Sequence, residues 1–368
     1  MPRLRDLGIT IGDLPTGPNN AITDVPGVLV GHTTLSYDEP RIARTGVTVV
    51  TPRNGEVYKN QCYAAYHSFN GNGELTGVHW LAEAGMLGTA VAITNTHQVG
   101  IVRDALVEYE TRTHPESSWL LPVVAETYDG WLNDINAFHL TKEHLFAALA
   151  AARSGPVDEG CVGGGTGMIC HGFKGGIGTA SRQVMIGDNG YTVGVLVQAN
   201  YGAREDLRVD GIPVGRLIDR QRTPTPHDEP QKDGSIIIVV ATDAPLLPFQ
   251  CKRLAQRATV GLARVGGYGH NSSGDIFLAF ATGNELLVDN NEPVNVRMLP
   301  NHQIDPLFHA TAEATEEAIL NALCAAETTV GFQGRTVYAL PLAELQAIWQ
   351  QFQGLLSSPE TNPQQRAT

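Results

Sequence analysis

The stretch that most constrains this chain is residues 233–243, Asp-Gly-Ser-Ile-Ile-Ile-Val-Val-Ala-Thr-Asp. Residues 236–241 are all apolar and mostly β-branched, with no polar alternation, which is the pattern of a central strand buried on both faces. Ser235 stands at the mouth of that strand and follows Gly234. Residues 203–232 upstream are charged and carry Pro224, Pro226 and Pro230, so 203–234 reads as an exposed loop leading into the strand.

A flexible loop that meets a rigid strand at Gly-Ser has a specific chemical use. Opening the Gly234–Ser235 peptide bond would leave one residue carrying both a hydroxyl and a free α-amine. Such an amine titrates near ~7.7–8.0, so part of it is neutral at physiological pH and can act as general base without a histidine. Glycine before the serine has no Cβ, which lets the hydroxyl approach the preceding carbonyl as an N-to-O acyl shift requires. Gly-Ser is equally a common turn dipeptide before a strand, and the dipeptide alone does not separate the two readings.

With 368 residues, 42% hydrophobic and 17% charged, the chain can build a substantial globular core. Its net charge of −13 argues against nucleic acid or an anionic membrane as partner and favours a small or peptide substrate. The N-terminus lacks the continuous apolar stretch of a secretory signal, and no segment is long enough to span a bilayer. Five widely spaced cysteines without a Cys-x-x-Cys pair read as reduced thiols, so the expected location is the cytoplasm. The spacing of the twelve histidines offers no metal motif, and neither a metal nor a cofactor is expected.

Strand patterns occur at 28–32, 46–51, 60–69, 89–94, 120–127, 191–198 and 276–281. Helical patterns occur at 77–85, 99–111, 141–152, 247–263, 305–327 and 340–356, and residues 357–368 read as a polar tail, flexible over 358–368. Strands and helices interleave without strict βαβ alternation, which predicts a layered α/β sandwich with mixed sheets. A glycine-dense stretch, 160–178, precedes the strand 191–198. Its Gly163-Gly164-Gly165-Thr166-Gly167 lacks both the lysine of a phosphate loop and dinucleotide-binding spacing, leaving close backbone approach or a flexible substrate loop.

Three strand-end segments carry the polar groups that acyl transfer needs. Glu126 and Tyr128 lie two apart, so in an extended stretch both point to one side and offer a carboxylate for an ammonium and a phenol for an oxyanion. Asn200 supplies an amide donor of similar use. Ser273 and Asp275, also two apart, could hydrogen-bond and orient the Ser235 amine. Each of these is also an ordinary turn or capping residue type.

Six stretches together resemble the self-processing L-aminopeptidase and D-amino-acid esterase/amidase family, the DmpA-like proteins, which includes the β-peptidyl aminopeptidases. They are residues 24–32 (Asp-Val-Pro-Gly-Val-Leu-Val-Gly-His), 126–134 (Glu-Thr-Tyr-Asp-Gly-Trp-Leu-Asn-Asp), 172–182, 233–236, 241–246 (Ala-Thr-Asp-Ala-Pro-Leu) and 271–277 (Asn-Ser-Ser-Gly-Asp-Ile-Phe). The resemblance implies a four-layer αββα sandwich like that of the N-terminal nucleophile hydrolases, with its own connectivity, cleaved into an α chain of 1–234 and a β chain of 235–368. It implies Ser235 as nucleophile, Tyr128 and Asn200 as oxyanion contacts, and Glu126 as anchor for the substrate amine. Ser273 and Asp275 become the pair that tunes the Ser235 amine; the family's acid there is often glutamate, and Asp275 is shorter. A tetramer of αβ units acting on short peptides, amides or esters is the expected assembly. The alternatives are an amidase or acyltransferase acting on β- or D-amino-acid amides, or an uncleaved small-molecule binding protein of the same fold.

Overall fold

A computed structural model describes residues 1–116, 119–226 and 234–356. Residues 227–233 of the expected loop and the expected tail 358–368 lie outside the described residues. In chain order the described residues form β1 (Leu29–Tyr37), β2 (Ala43–Thr51), β3 (Asn60–Gly71), α1 (Val78–Ala84), β4 (Met86–Leu87), β5 (Val91–Asn95), α2 (Val99–Thr113), β6 (Val123–Thr127) and α3 (Lys142–Ala150). A short hairpin follows, β7 (Ile169–Cys170) and β8 (Phe173–Lys174), then β9 (Gly176–Ile186), β10 (Asn189–Asn200), α4 (Val214–Leu217), β11 (Ser235–Thr242) and α5 (Pro248–Val265). The last elements are β12 (Gly274–Leu287), α6 (Asp305–Ala325), the hairpin β13 (Thr329–Val330) and β14 (Thr336–Val337), and α7 (Leu342–Leu356).

Two sheets face each other, one ordered β1-β2-β5-β6 and the other β4-β3-β12-β11-β10-β9. β11 pairs antiparallel with β10 and parallel with β12, so it is the central strand its composition predicts. Its alternate side chains serve two cores. Ile236, Ile238 and Val240 pack with Leu254 and Ala258 of α5 and Ala314 and Ala318 of α6. Ile237, Val239 and Ala241 pack against Val91, Ile93 and Ala125 of the opposite sheet. Each isoleucine and valine of this run contributes about 1.5–3 kcal/mol by leaving water, which is why the strand tolerates no polar alternation. On the far side of the smaller sheet, Val102 and Leu106 of α2 and Leu145 and Ala148 of α3 cover Val47, Val49, Ala92 and Val124. The layers are therefore helix, sheet, sheet, helix, the αββα sandwich. Among the described residues no helix is long and apolar enough to cross a membrane.

The stretch 160–178 holds the β7–β8 hairpin and the start of β9, and the triple glycine 163–165 is a buried turn pressed against β2 and β9. A Cβ on Gly165 would sit 2.4 Å from the Ile177 nitrogen, so close backbone approach is the reason for glycine there. Residues 203–226 are not an exposed loop. Leu207, Val209, Ile212, Val214 and Ile218 are buried in the core shared with α5 and α6, and Arg204 lies 3.5 Å over the Phe173 ring. Charge and proline signalled exposure, but apolar residues spaced between the charges anchor the segment.

Candidate active site

The register that buries β11 also decides where its first residue sits. Asn200 at the end of β10 lies opposite Ser235, and Gly274 at the start of β12 lies opposite Ser235 on the other side. Residues level with one another on a sheet point to one face, so the Ser235 and Asn200 side chains share the face turned toward the other sheet. From that sheet, β6 ends at Thr127, bringing Glu126 and Tyr128 to the same opening. These four residues line one cavity of about 730 Å³.

Ser235 is 7% exposed. The Gly274 N–H donates to its Oγ at 3.1 Å and to the Gly234 carbonyl oxygen at 3.2 Å. One amide thus holds both the hydroxyl oxygen and the carbonyl of the peptide bond preceding it. Gly234 is required by packing: a Cβ there would meet the Asn200 carbonyl oxygen at 2.3 Å and the Tyr201 Cα at 2.6 Å.

Glu126 is 3% exposed. Its Oε1 accepts the Glu74 N–H at 3.0 Å and its Oε2 accepts the Thr96 hydroxyl. Burial pushes its carboxyl above the ordinary range, and these two donors oppose that shift. A carboxylate has about four lone-pair sites, so capacity for an ammonium remains. Asn200 is held at both ends, its Nδ2 donating to the Tyr128 carbonyl at 3.0 Å and its Oδ1 accepting the Ile169 N–H at 2.8 Å. One Nδ2 hydrogen is left for a ligand. Tyr128 is 52% exposed, with its ring folded back over Gly130. The turn beneath it is pinned by buried Asp129, which accepts from Asn133 Nδ2 at 3.1 Å and which burial pushes up to about 7.

Ser273 and Asp275 do not line the cavity. They flank Gly274, and Asp275, level with Ile236, leaves the face of the sheet opposite the Ser235 hydroxyl. Both are buried, and burial pushes the Asp275 carboxyl up to about 6.

Sequence reasoning did not single out Glu74, Thr96, Trp131, Arg204, Glu205 or Arg220, which also line the cavity. Arg204 donates to the carbonyls of His171, Gly172 and Thr223 and so clamps residues 223–224 onto the β7–β8 turn. Arg220 pairs with Glu205 at 2.5 Å. Only the mixture of buried apolar residues and arginines in 203–220 marked this segment as more than loop, and that signal was available in the sequence.

An αββα sandwich with a serine at the first position of its central strand is the architecture of the N-terminal nucleophile hydrolases, and the chain is a serine hydrolase of that fold. It belongs to peptidase family S58, whose sequence model matches residues 20–337. It is 48% identical over 374 residues to the beta-peptidyl aminopeptidase BapA of Sphingosinicella microcystinivorans, covering 97% of this chain and 94% of that one. Among solved structures it is similar to a Burkholderia sp. beta-aminopeptidase, with 53% identity, a TM-score of 0.89, and 95% and 99% of the two chains covered. The L-aminopeptidase D-Ala-esterase/amidase of Ochrobactrum anthropi, described as a prototype for the serine aminopeptidases and a new variant among the Ntn hydrolase fold, matches with 43% identity and a TM-score of 0.89 over 96% and 99% of the two chains.

Proposed function

We propose that the chain is an autoprocessing aminopeptidase in which Ser235 first cleaves its own precursor and then serves as N-terminal nucleophile. The observation that carries this reading is the shared donor: the Gly274 N–H sits 3.1 Å from Ser235 Oγ and 3.2 Å from the Gly234 carbonyl oxygen. Attack of Oγ on that carbonyl carbon would turn the amide into an ester, with the developing oxyanion already facing a backbone donor. Hydrolysis of the ester by water leaves a carboxylate on Gly234 and a free amine on Ser235, giving chains of residues 1–234 and 235–368.

In the mature enzyme, Ser235 Oγ attacks the carbonyl of the substrate's first residue while the Ser235 amine takes the hydroxyl proton. That proton then passes to the leaving amine, and water releases the acyl group by the reverse path. Glu126 anchors the substrate ammonium, and Tyr128 and the free Asn200 N–H face the oxyanion. Ser273 and Asp275 hold the amine from below. Short peptides, amides and esters are the substrate class; N-terminal β-residues come first for testing, because the relatives at 48% and 53% identity are named for that activity. A cytoplasmic tetramer of αβ units completes the reading.

Ser235→Ala should remain a single chain and show no turnover of aminoacyl amides. Cleaved, active protein from that variant would overturn the assignment.

A further inference from the structure

The charged residues that line the cavity are sorted by the sheet beneath it. Gly71, Gly274, Ser235 and Asn200 form one level row across β3, β12, β11 and β10, which places Ser235 between the β3 end and the β10 end of the cavity floor. On the β3 side stand Glu74 and Glu126. The Glu126 Oε1 accepts the Glu74 N–H at 3.0 Å and lies 3.1 Å from where a Cβ on Gly73 would sit. On the β10 side, the chain that continues past Asn200 brings Arg204 and Glu205 to the cavity, and Arg220 joins them there.

The two arginines are held differently. Arg204 is 2% exposed and, among the described residues, donates only to carbonyls, those of His171, Gly172, Thr223 and Pro224, while lying 3.5 Å over the Phe173 ring. Burial pushes its guanidinium down to about 10, so it remains a cation in the working range. Dipoles alone hold that buried charge, which leaves it available to an anion in the cavity. Glu344 of α7 also acts on it, but lies outside the cavity, where it accepts the Asp219 N–H at 2.8 Å. Arg220 is half-exposed, and its one partner on the cavity wall is Glu205, with Nη2 donating to Oε1 at 2.5 Å. A guanidinium has five N–H donors, so most of this one is uncommitted. An exposed pair of this kind adds little to stability.

A substrate whose ammonium sits on Glu126 and whose carbonyl meets Ser235 runs from the β3 side toward the β10 side, so its leaving residue arrives at the arginines. We propose that Arg220, backed by the fixed charge of Arg204, is a specificity-determining residue that takes a carboxylate on the leaving residue as a bidentate pair. This rests on the reading of Ser235 as nucleophile and Glu126 as amine anchor. Glu205 is the competitor that holds Arg220 until the substrate carboxylate displaces it. That carboxylate is either the C-terminus of a dipeptide or an acidic side chain on its second residue, since both present the same two oxygens.

Two pairs of dipeptides test this, all beginning with the residue that the enzyme releases fastest from its simple amide. One pair ends in glycine, as the free acid and as the carboxamide; the other ends in aspartate carboxamide and asparagine carboxamide. Wild-type enzyme should favour the charged member of at least one pair by about tenfold in kcat/KM, mainly through KM. Preference in the first pair assigns the terminal carboxylate, and preference in the second assigns the side chain. Arg220→Gln should bring the preferred pair close to parity, and Glu205→Gln, which removes the competitor, should widen the preference. Equal use of both members of both pairs by wild type, a preference unchanged in Arg220→Gln, or one narrowed by Glu205→Gln overturns the proposal.

If Arg220→Gln fails to mature, the salt dependence of the wild-type preference takes its place. A pairing at a half-exposed guanidinium is screened by salt, so the ratio should shrink as ionic strength rises from about 0.01 M to 1 M, and a constant ratio overturns the proposal. Arg204 is left unchanged in these tests, because its loss would release residues 223–224 from the β7–β8 turn. Wild-type protein that stays uncleaved or hydrolyses none of the four dipeptides, or Ser235→Ala protein that turns over substrate, would instead remove the underlying reading.

Discussion

On the proposed reading Glu126 carries the heaviest demand of any single cavity residue, because a carboxylate that is 3% exposed would have to stay charged to hold an ammonium. The Thr96 hydroxyl and the Glu74 N–H supply two of the hydrogen bonds this requires, and burial still leaves its carboxyl above the ordinary range. The ionised form is therefore completed only at higher pH than for a free glutamate, and KM should rise as pH falls through that range. Glu126→Gln should raise KM for substrates with a free amine about 10–100-fold, the loss expected for a hydrogen bond to a charged group. It should also flatten that pH dependence, while leaving desamino esters nearly unaffected. Steady-state kinetics on the paired substrates check this, and an unchanged KM for the amine substrate would contradict the anchoring role.

Elements decide which of these residues meet. The β11 run was legible because burial on both faces leaves a continuous apolar signature, and α5 was legible from Pro248 at its start and Gly266 past its end. Glu126 and Tyr128 were readable as a same-side pair because they close one strand. β9 was not legible. Gly176, Gly178, Ser181 and Arg182 look like loop, and the burial of the polar ones is compensated by partners far away in sequence. Arg182, fully buried, donates to Glu313 at 2.9 Å and to Glu317 at 2.6 Å on α6, and Glu317 also accepts from Arg5 at 2.7 Å and Asn20 at 2.6 Å. No local pattern announces a network that joins the N-terminal segment, β9 and α6. Glu317→Ala should cost about 3–5 kcal/mol in chemical denaturation, since it strands buried Arg182 without that partner. Burial works against the Glu317 charge, but Arg5 and Arg182 more than offset it and hold its carboxyl below the ordinary value of 4.5. Its stabilisation is thus complete above about pH 4.5 and is lost as pH falls through the lower folded-state value. The variant should lose that acid sensitivity, and an unchanged denaturation midpoint would contradict the role of the network.

Across the whole molecule, the αββα layering places β6 of one sheet and β3, β10 and β11 of the other so that their ends open on one cavity. Self-cleavage at the head of β11 would then leave the layers intact, because β11 remains paired on both sides after the Gly234–Ser235 bond opens. The intact mass of freshly purified wild-type protein under denaturing conditions tests this most directly. Two species summing to the 39.4 kDa chain plus one water are predicted, the smaller beginning at Ser235. A single full-length species that stays uncleaved and inert toward aminoacyl amides after long incubation would contradict it.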